Sequence, residues 1–106
     1  MATGQPGISQ AFQTFATEAP RHAGAWGAMV QGLAGASALD PKTGALAYLA
    51  VLAALRMEGG VPFHAAAARQ YGATRDEVIS AVLVGLPAAG LGVTQVLPAA
   101  LAAYDG

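Results

Sequence analysis

Residues 45–55, Ala-Leu-Ala-Tyr-Leu-Ala-Val-Leu-Ala-Ala-Leu, carry no charge and no polar group except the Tyr48 hydroxyl. Alanine and leucine favour helix, and Asp40 followed by Pro41 supplies a cap and a first-turn proline ahead of the run. A helix that is apolar nearly all the way round offers no face to water, so it is either central in the fold or sandwiched between subunits. It is too short to cross a bilayer. Whatever else the chain does, it has to surround this segment with other helices.

The rest of the chain reads as helices that can do so. Residues 1–7 are small and polar around a Gly-Gln-Pro-Gly turn and form a flexible N-terminal arm; residues 8–106 form one domain. Residues 8–19 place Ile8, Ala11, Phe12, Phe15 and Ala16 on one helical face. Pro20 opens a second helix that runs to about Leu33, with Trp26, Met29, Val30 and Leu33 as its buried stripe and a loop over residues 32–38. A fifth helix follows Thr74 with Val78, Ile79, Val82, Leu83 and Leu86 inward, and Gly85 and Pro87 end it. Residues 91–104 give the sixth, kinked at Pro98. No strand alternation appears. The expected fold is therefore all-α, a compact six-helix bundle.

The junction between the third and fourth helices holds the best candidate for a reactive centre. Gly59-Gly60 can adopt left-handed conformations that close a helix, and Pro62 suits the first turn of the next. His64, one of two histidines in the chain, then sits in that first turn. Gly72 is the exit from this fourth helix, and Thr74 with Glu77 forms a capping box at the start of the fifth.

Taken together, Leu39-Asp40-Pro41-Lys42-Thr43, an Ala/Leu-rich helix, Val61-Pro62-Phe63-His64 and Gly72-Ala73-Thr74-Arg75-Asp76-Glu77-Val78-Ile79 resemble the carboxymuconolactone decarboxylase superfamily, which includes the alkylhydroperoxidase D-like proteins. The likeness covers residues 39–86 best. It implies a helical fold and a symmetric homo-oligomer, a trimer or hexamer. In the thiol-peroxidase branch the motif is Cys-x-x-Cys-x-x-x-His with a glutamate in the preceding helix. Anchoring on His64 puts the two cysteines at Met57 and Gly60 and the glutamate at Ala45. Only the histidine is kept. The decarboxylase branch resembles Glu-Leu-Arg-x-His at this point, where this chain has Gly60-Val61-Pro62-Phe63-His64; the arginine that would grip a substrate carboxylate is missing.

The chain contains no cysteine. A peroxidatic centre needs a thiolate to attack the peroxide and a second thiol to resolve the sulfenic acid, so dithiol peroxidase chemistry is closed to these 106 residues. The chemistry of the decarboxylase branch is proton transfer without a cofactor, and it remains open.

Composition bounds the rest. The chain is 55% hydrophobic and 10% charged, against roughly 25% charged in average soluble proteins, too little polar surface for a small monomer. Oligomerisation is the expected remedy. A net charge of −1 with scattered basic residues argues against nucleic acid. Residues 78–104 carry no formal charge, but Gly85, Pro87, Gly90, Gly92 and Pro98 break them into helix-sized pieces, so no membrane span is expected. No basic n-region opens the chain, and the cytoplasm is the expected location. Two histidines 42 positions apart in the numbering make no recognisable metal set, and neither a phosphate loop nor a catalytic triad is indicated.

Three readings stay open. His64 can move a proton on a small organic acid or lactone, with Glu58 as a substitute carboxylate and Tyr48, Met57, Gly60, Phe63 and Tyr71 around a small pocket. The same pocket can bind a small molecule without turning it over. Or the chain is a non-catalytic structural or partner-binding subunit. The bland alternatives are that His64 merely hydrogen-bonds backbone or solvent, that Arg56 and Glu58 are an exposed pair, that His22 is solvated, and that Trp26 and the phenylalanines are core.

Overall fold

The structure, a computed structural model, describes residues 7–106. The expected arm lies outside the described residues except for Gly7. That glycine has φ +87°, and a Cβ on it would come within 2.9 Å of the Phe63 nitrogen, so here the backbone needs glycine for both conformation and space.

The elements are α1 (Gln10–Glu18), α2 (Pro20–Ala36), α3 (Pro41–Leu55), a 3₁₀ turn (Glu58–Gly60), α4 (Val61–Gln70), α5 (Arg75–Leu83), the single turn α6 (Leu86–Ala89), a 3₁₀ stretch (Leu91–Val96) and α7 (Leu97–Asp105). All six expected helices are present, and no strand occurs among the described residues. The caps explain the boundaries. Ser9 accepts from the Phe12 N–H at 3.1 Å and Asp40 from the Thr43 N–H at 2.7 Å. Thr74 accepts from the Glu77 N–H at 3.0 Å while the Glu77 carboxylate accepts from the Thr74 N–H at 2.9 Å, the reciprocal box read from the sequence.

α3 is the centre. It packs against α4, α5 and the 3₁₀ stretch, while α4 packs in turn on α7. The buried core is Leu49, Leu52, Ala53, Val61, Ala65, Ala68, Ala73, Val78, Val82, Val93, Val96 and Ala100. Only valine, alanine and two leucines are fully inside, so the helices approach closely. Polar ties lock the far end: the Tyr104 hydroxyl donates to the Ala73 carbonyl at 2.8 Å, Arg69 lies over the Tyr104 ring, and Arg75 pairs with Asp105 at 2.9 and 3.1 Å. Lys42 and Glu77 join α3 to α5 at 3.0 Å.

Four expectations need correction. Gly59-Gly60 does not close α3; Arg56 does, in the left-handed conformation at φ 56° and ψ 38°, with the Met57 N–H bonded back to Leu52 at 2.9 Å. This is a Schellman closure on a side-chain-bearing residue, and Gly60 is left in an ordinary conformation at φ −90°. Second, Arg56 and Glu58 are both exposed but form no ion pair; the Arg56 guanidinium lies over Gly92, where a Cβ would collide with it. Third, Pro98 does not kink a continuous helix. It stands in the first turn of α7 after the 3₁₀ stretch, where its missing N–H leaves no bond unmade, and Pro87 does the same for α6.

The fourth correction is the largest. α2 runs to Ala36, through the expected loop, and none of its residues is buried. Trp26 is 42%, Met29 53%, Val30 39% and Leu33 63% exposed. Its main packing partner is α1, through contacts such as Phe12 on Trp26 at 5.0 Å between ring centroids. The aromatic residues expected in the core are therefore outside it, with Phe12, Phe15 and Phe63 half-buried. No helix among the described residues is long and apolar enough to cross a membrane.

The strained closure of α3 carries a prediction. A non-glycine residue in the left-handed region costs about 1–2 kcal/mol, so Arg56→Gly should raise the unfolding free energy by about 0.5–1 kcal/mol after the greater chain entropy of glycine is counted. Arg56→Ala keeps the strain and should not. Urea melts of the two variants check this; equal losses would mean that packing of the guanidinium on Gly92 outweighs the backbone term.

Candidate functional site

His64 is the fourth residue of α4. Gly60 stands just before the helix and Pro62 in its first turn, so the local sequence sets where the imidazole emerges. The ring is half-buried between two others, Tyr48 of α3 at 4.4 Å and 47° and Phe63 at 5.2 Å and edge-on. Among the described residues no hydrogen bond engages either ring nitrogen, and no buried side-chain polar atom is left without a partner. The nitrogens are therefore open to solvent or a ligand.

Burial lowers the His64 pKa from its ordinary value of 6.5, and burial is the whole cause. A partly apolar surrounding disfavours the imidazolium, and no carboxylate acts to restore it. His64 is thus a neutral imidazole at pH 7, able to accept a proton.

The other site residues from the sequence are distributed as follows. Tyr48 and Phe63 touch the imidazole directly. Met57 is exposed in the turn after α3, and its carbonyl accepts from the Gly60 N–H at 3.2 Å, so the two residues lie at opposite ends of one 3₁₀ turn. A Cβ at Gly60 would lie 3.4 Å from a Leu52 methyl, snug but sterically attainable. Ala45 is half-buried on α3 one turn before Tyr48. Glu58 is exposed at the start of the 3₁₀ turn and is not among the causes acting on His64. Tyr71 caps the far end of α4, seven residues on and so roughly 10 Å along the helix axis from His64. His22 is exposed in an open hollow of about 470 Å³ at the α1–α2 elbow, lined also by Glu18, Ala19, Pro20, Arg21 and Ala25. That hollow is walled by exposed side chains and holds no polar group isolated from water, so the chemistry of interest stays with His64. No cluster of three or more potential metal ligands occurs among the described residues.

The described residues form an all-helical scaffold in which a 3₁₀ turn joins Met57 to Gly60 and His64 follows in α4. The sequence profile of the carboxymuconolactone decarboxylase family matches residues 20–105. The chain belongs to that family. No curated protein matches it, and no solved structure does. Within the carboxymuconolactone decarboxylase family it is a chain without cysteine, in which the His64 ring lies tilted against Tyr48. Sequence reasoning missed the role of Arg56 as the left-handed closure of α3, because arginine gives no signal for that conformation.

Proposed function

We propose that the chain is a non-redox, cofactor-free member of its family in which His64 transfers a proton on a small, partly apolar organic acid or lactone. The observation that supports this is the half-buried imidazole, kept neutral by desolvation and flanked by Tyr48 and Phe63. In an isomerisation the neutral imidazole removes a proton from a carbon next to a carbonyl, becomes imidazolium and returns that proton to a neighbouring carbon. In a decarboxylation the bond to the carboxylate breaks and its electron pair stays on the substrate as carbon dioxide leaves; the imidazole, having taken up a proton from water, delivers it to the resulting carbanion. The electrons stay on the substrate throughout. The aromatic walls hold the apolar part of the ligand and reduce the water around the transferring proton. The functional unit is a homo-oligomer.

The test is hydrogen exchange and turnover of carboxymuconolactone and related small lactone acids, followed by NMR in deuterated water. His64→Gln should lose about 10²–10⁴-fold, while Met57→Ala keeps the activity; equal rates in both would remove the proposal. A second reading, binding without turnover, draws on the lack of any carboxylate acting on His64. It requires a saturable rise in melting temperature with the same acids and no exchange. The third, a non-catalytic oligomeric subunit, is favoured by the uncovered α2 and requires neither exchange nor ligand stabilisation.

His64 also sets a pH dependence of stability. Its folded pKa lies below the unfolded value near 6.5, so as pH falls through that value the unfolded chain takes up the proton first. Stability is therefore full above 6.5 and declines between there and the lowered folded value. The lowered carboxylates of Asp40, Glu77 and Asp105 act only at more acid pH. The melting temperature of the wild type should fall between about pH 7 and pH 5, and His64→Gln should flatten that slope.

A further inference from the structure

Apart from Trp26, whose ring packs on Phe12 at one edge, the outward stripe of α2 and the outward stripe of α3 are two apolar faces left exposed among the described residues, and they match. Trp26, Met29, Val30 and Leu33 follow i, i+3, i+4, i+7 spacing, while Tyr48, Val51 and Leu55, exposed by 46%, 51% and 62%, follow i, i+3, i+7. Each stripe is therefore about 10 Å long. Residues 22–39 and 43–55 contain no formal charge, so bringing the faces together buries no ion. Alanines at 47 and 54 flank the α3 stripe and allow the helix axes to come close.

We propose that α2 of a second copy of the chain lies along the outer face of α3 and covers the Tyr48–His64 pair, so that the site is closed only between copies. This rests on the reading of His64 as the working group and names what completes its pocket.

Area argues for a second copy. A globule of 10.5 kDa exposes about 5,400 Å², whereas this chain exposes 6797 Å². Allowing the first six residues the full surface of an unfolded segment still leaves an excess of roughly 700 Å², close to the ~800 Å² per partner of a standard interface. Because one chain carries both faces, two copies related by a twofold axis satisfy each other reciprocally, with no unmatched stripe left over. Tyr48 belongs to the stripe and also touches His64 at 4.4 Å. A helix seated on the free side of Tyr48 therefore roofs the imidazole and removes further water from it.

The absence of cysteine makes the test direct, since any introduced thiol is the sole one in its chain. Chains bearing Met29→Cys, Val30→Cys or Leu33→Cys are each mixed with a differently sized tagged chain bearing Val51→Cys and oxidised with copper phenanthroline. At least one pair should give a mixed disulfide between chains in several-fold excess over a Ser80→Cys control, Ser80 being exposed on α5. Cross-linking no better than this control would overturn the proposal. So would a double Leu33→Cys, Val51→Cys chain that closes a disulfide within itself at monomer mass, because α3 would then be covered by its own α2. Leu33→Glu should also reduce the sedimenting mass while leaving the helical circular dichroism intact, as Leu33 is not part of the core; an unchanged mass would count against the interface. These readouts need no turnover. Loss of cross-linking alongside a His64-dependent activity sinks this inference and spares the assigned chemistry, and the reverse result does the opposite.

Discussion

Leu49→Ala should lower the unfolding free energy by about 2–5 kcal/mol, against a total of about 5–15 kcal/mol for domains of this kind. Leu49 is fully buried on α3, the helix that packs against α4, α5 and the 3₁₀ stretch. Removing its three outer carbons forfeits their transfer free energy and leaves a hole. The backbones around it are spaced by alanine and valine, which have no flexible ends to swing into the space, so relaxation is limited and the upper half of the range is expected. Urea denaturation followed by circular dichroism should show a lower midpoint at unchanged slope. A loss below about 1 kcal/mol would mean that α3 is not the centre of the fold.

The converse substitution, Ala68→Leu, should also destabilise, by about 1–3 kcal/mol. As a helix former leucine is only slightly poorer than alanine, so propensity alone predicts almost no change. Ala68 is fully buried on α4, which packs on both α3 and α7. Three more carbons there push α4 off its neighbours or force strained rotamers. Ala102→Leu, on the exposed side of α7, should stay within about 0.5 kcal/mol. Equal stability of the two variants in thermal and urea melts would show that the core has room to spare, contrary to its alanine-lined geometry.

Both predictions rely on the inner side of α3 being packed, a role its composition pointed to because eleven residues with no polar face favour burial; Leu49, Leu52 and Ala53 are buried, while Tyr48, Val51 and Leu55 stay on the outer face. Local chemistry was legible in the same way. The Asp40 cap and the Thr74–Glu77 box each pair a side chain with a backbone N–H three residues away, and the Gly72 exit and the first-turn Pro62 follow from each residue's own backbone preference, so the sequence holds all that they need. The closure of α3 was misplaced for the opposite reason. Glycine is the usual tenant of the left-handed conformation, but Met57 bonding back to Leu52 and the guanidinium resting on Gly92 hold Arg56 there instead, and the second contact lies 36 positions away in the numbering.

What the chain settles unaided is its class of structure and the chemistry it lacks: helical periodicity and capping are short-range, and a missing thiol is missing in any fold. Which apolar stripe goes inside is different, because a helix pattern shows that one face avoids water without naming what will cover it. Trp26, Met29, Val30 and Leu33 have the spacing of core residues, yet only the three-dimensional arrangement leaves them outside, since α4, α5 and the 3₁₀ stretch fill the space on the inner side of α3. The same arrangement sets Tyr48 against His64, two residues on different helices whose meeting depends on the packing of α3 against α4.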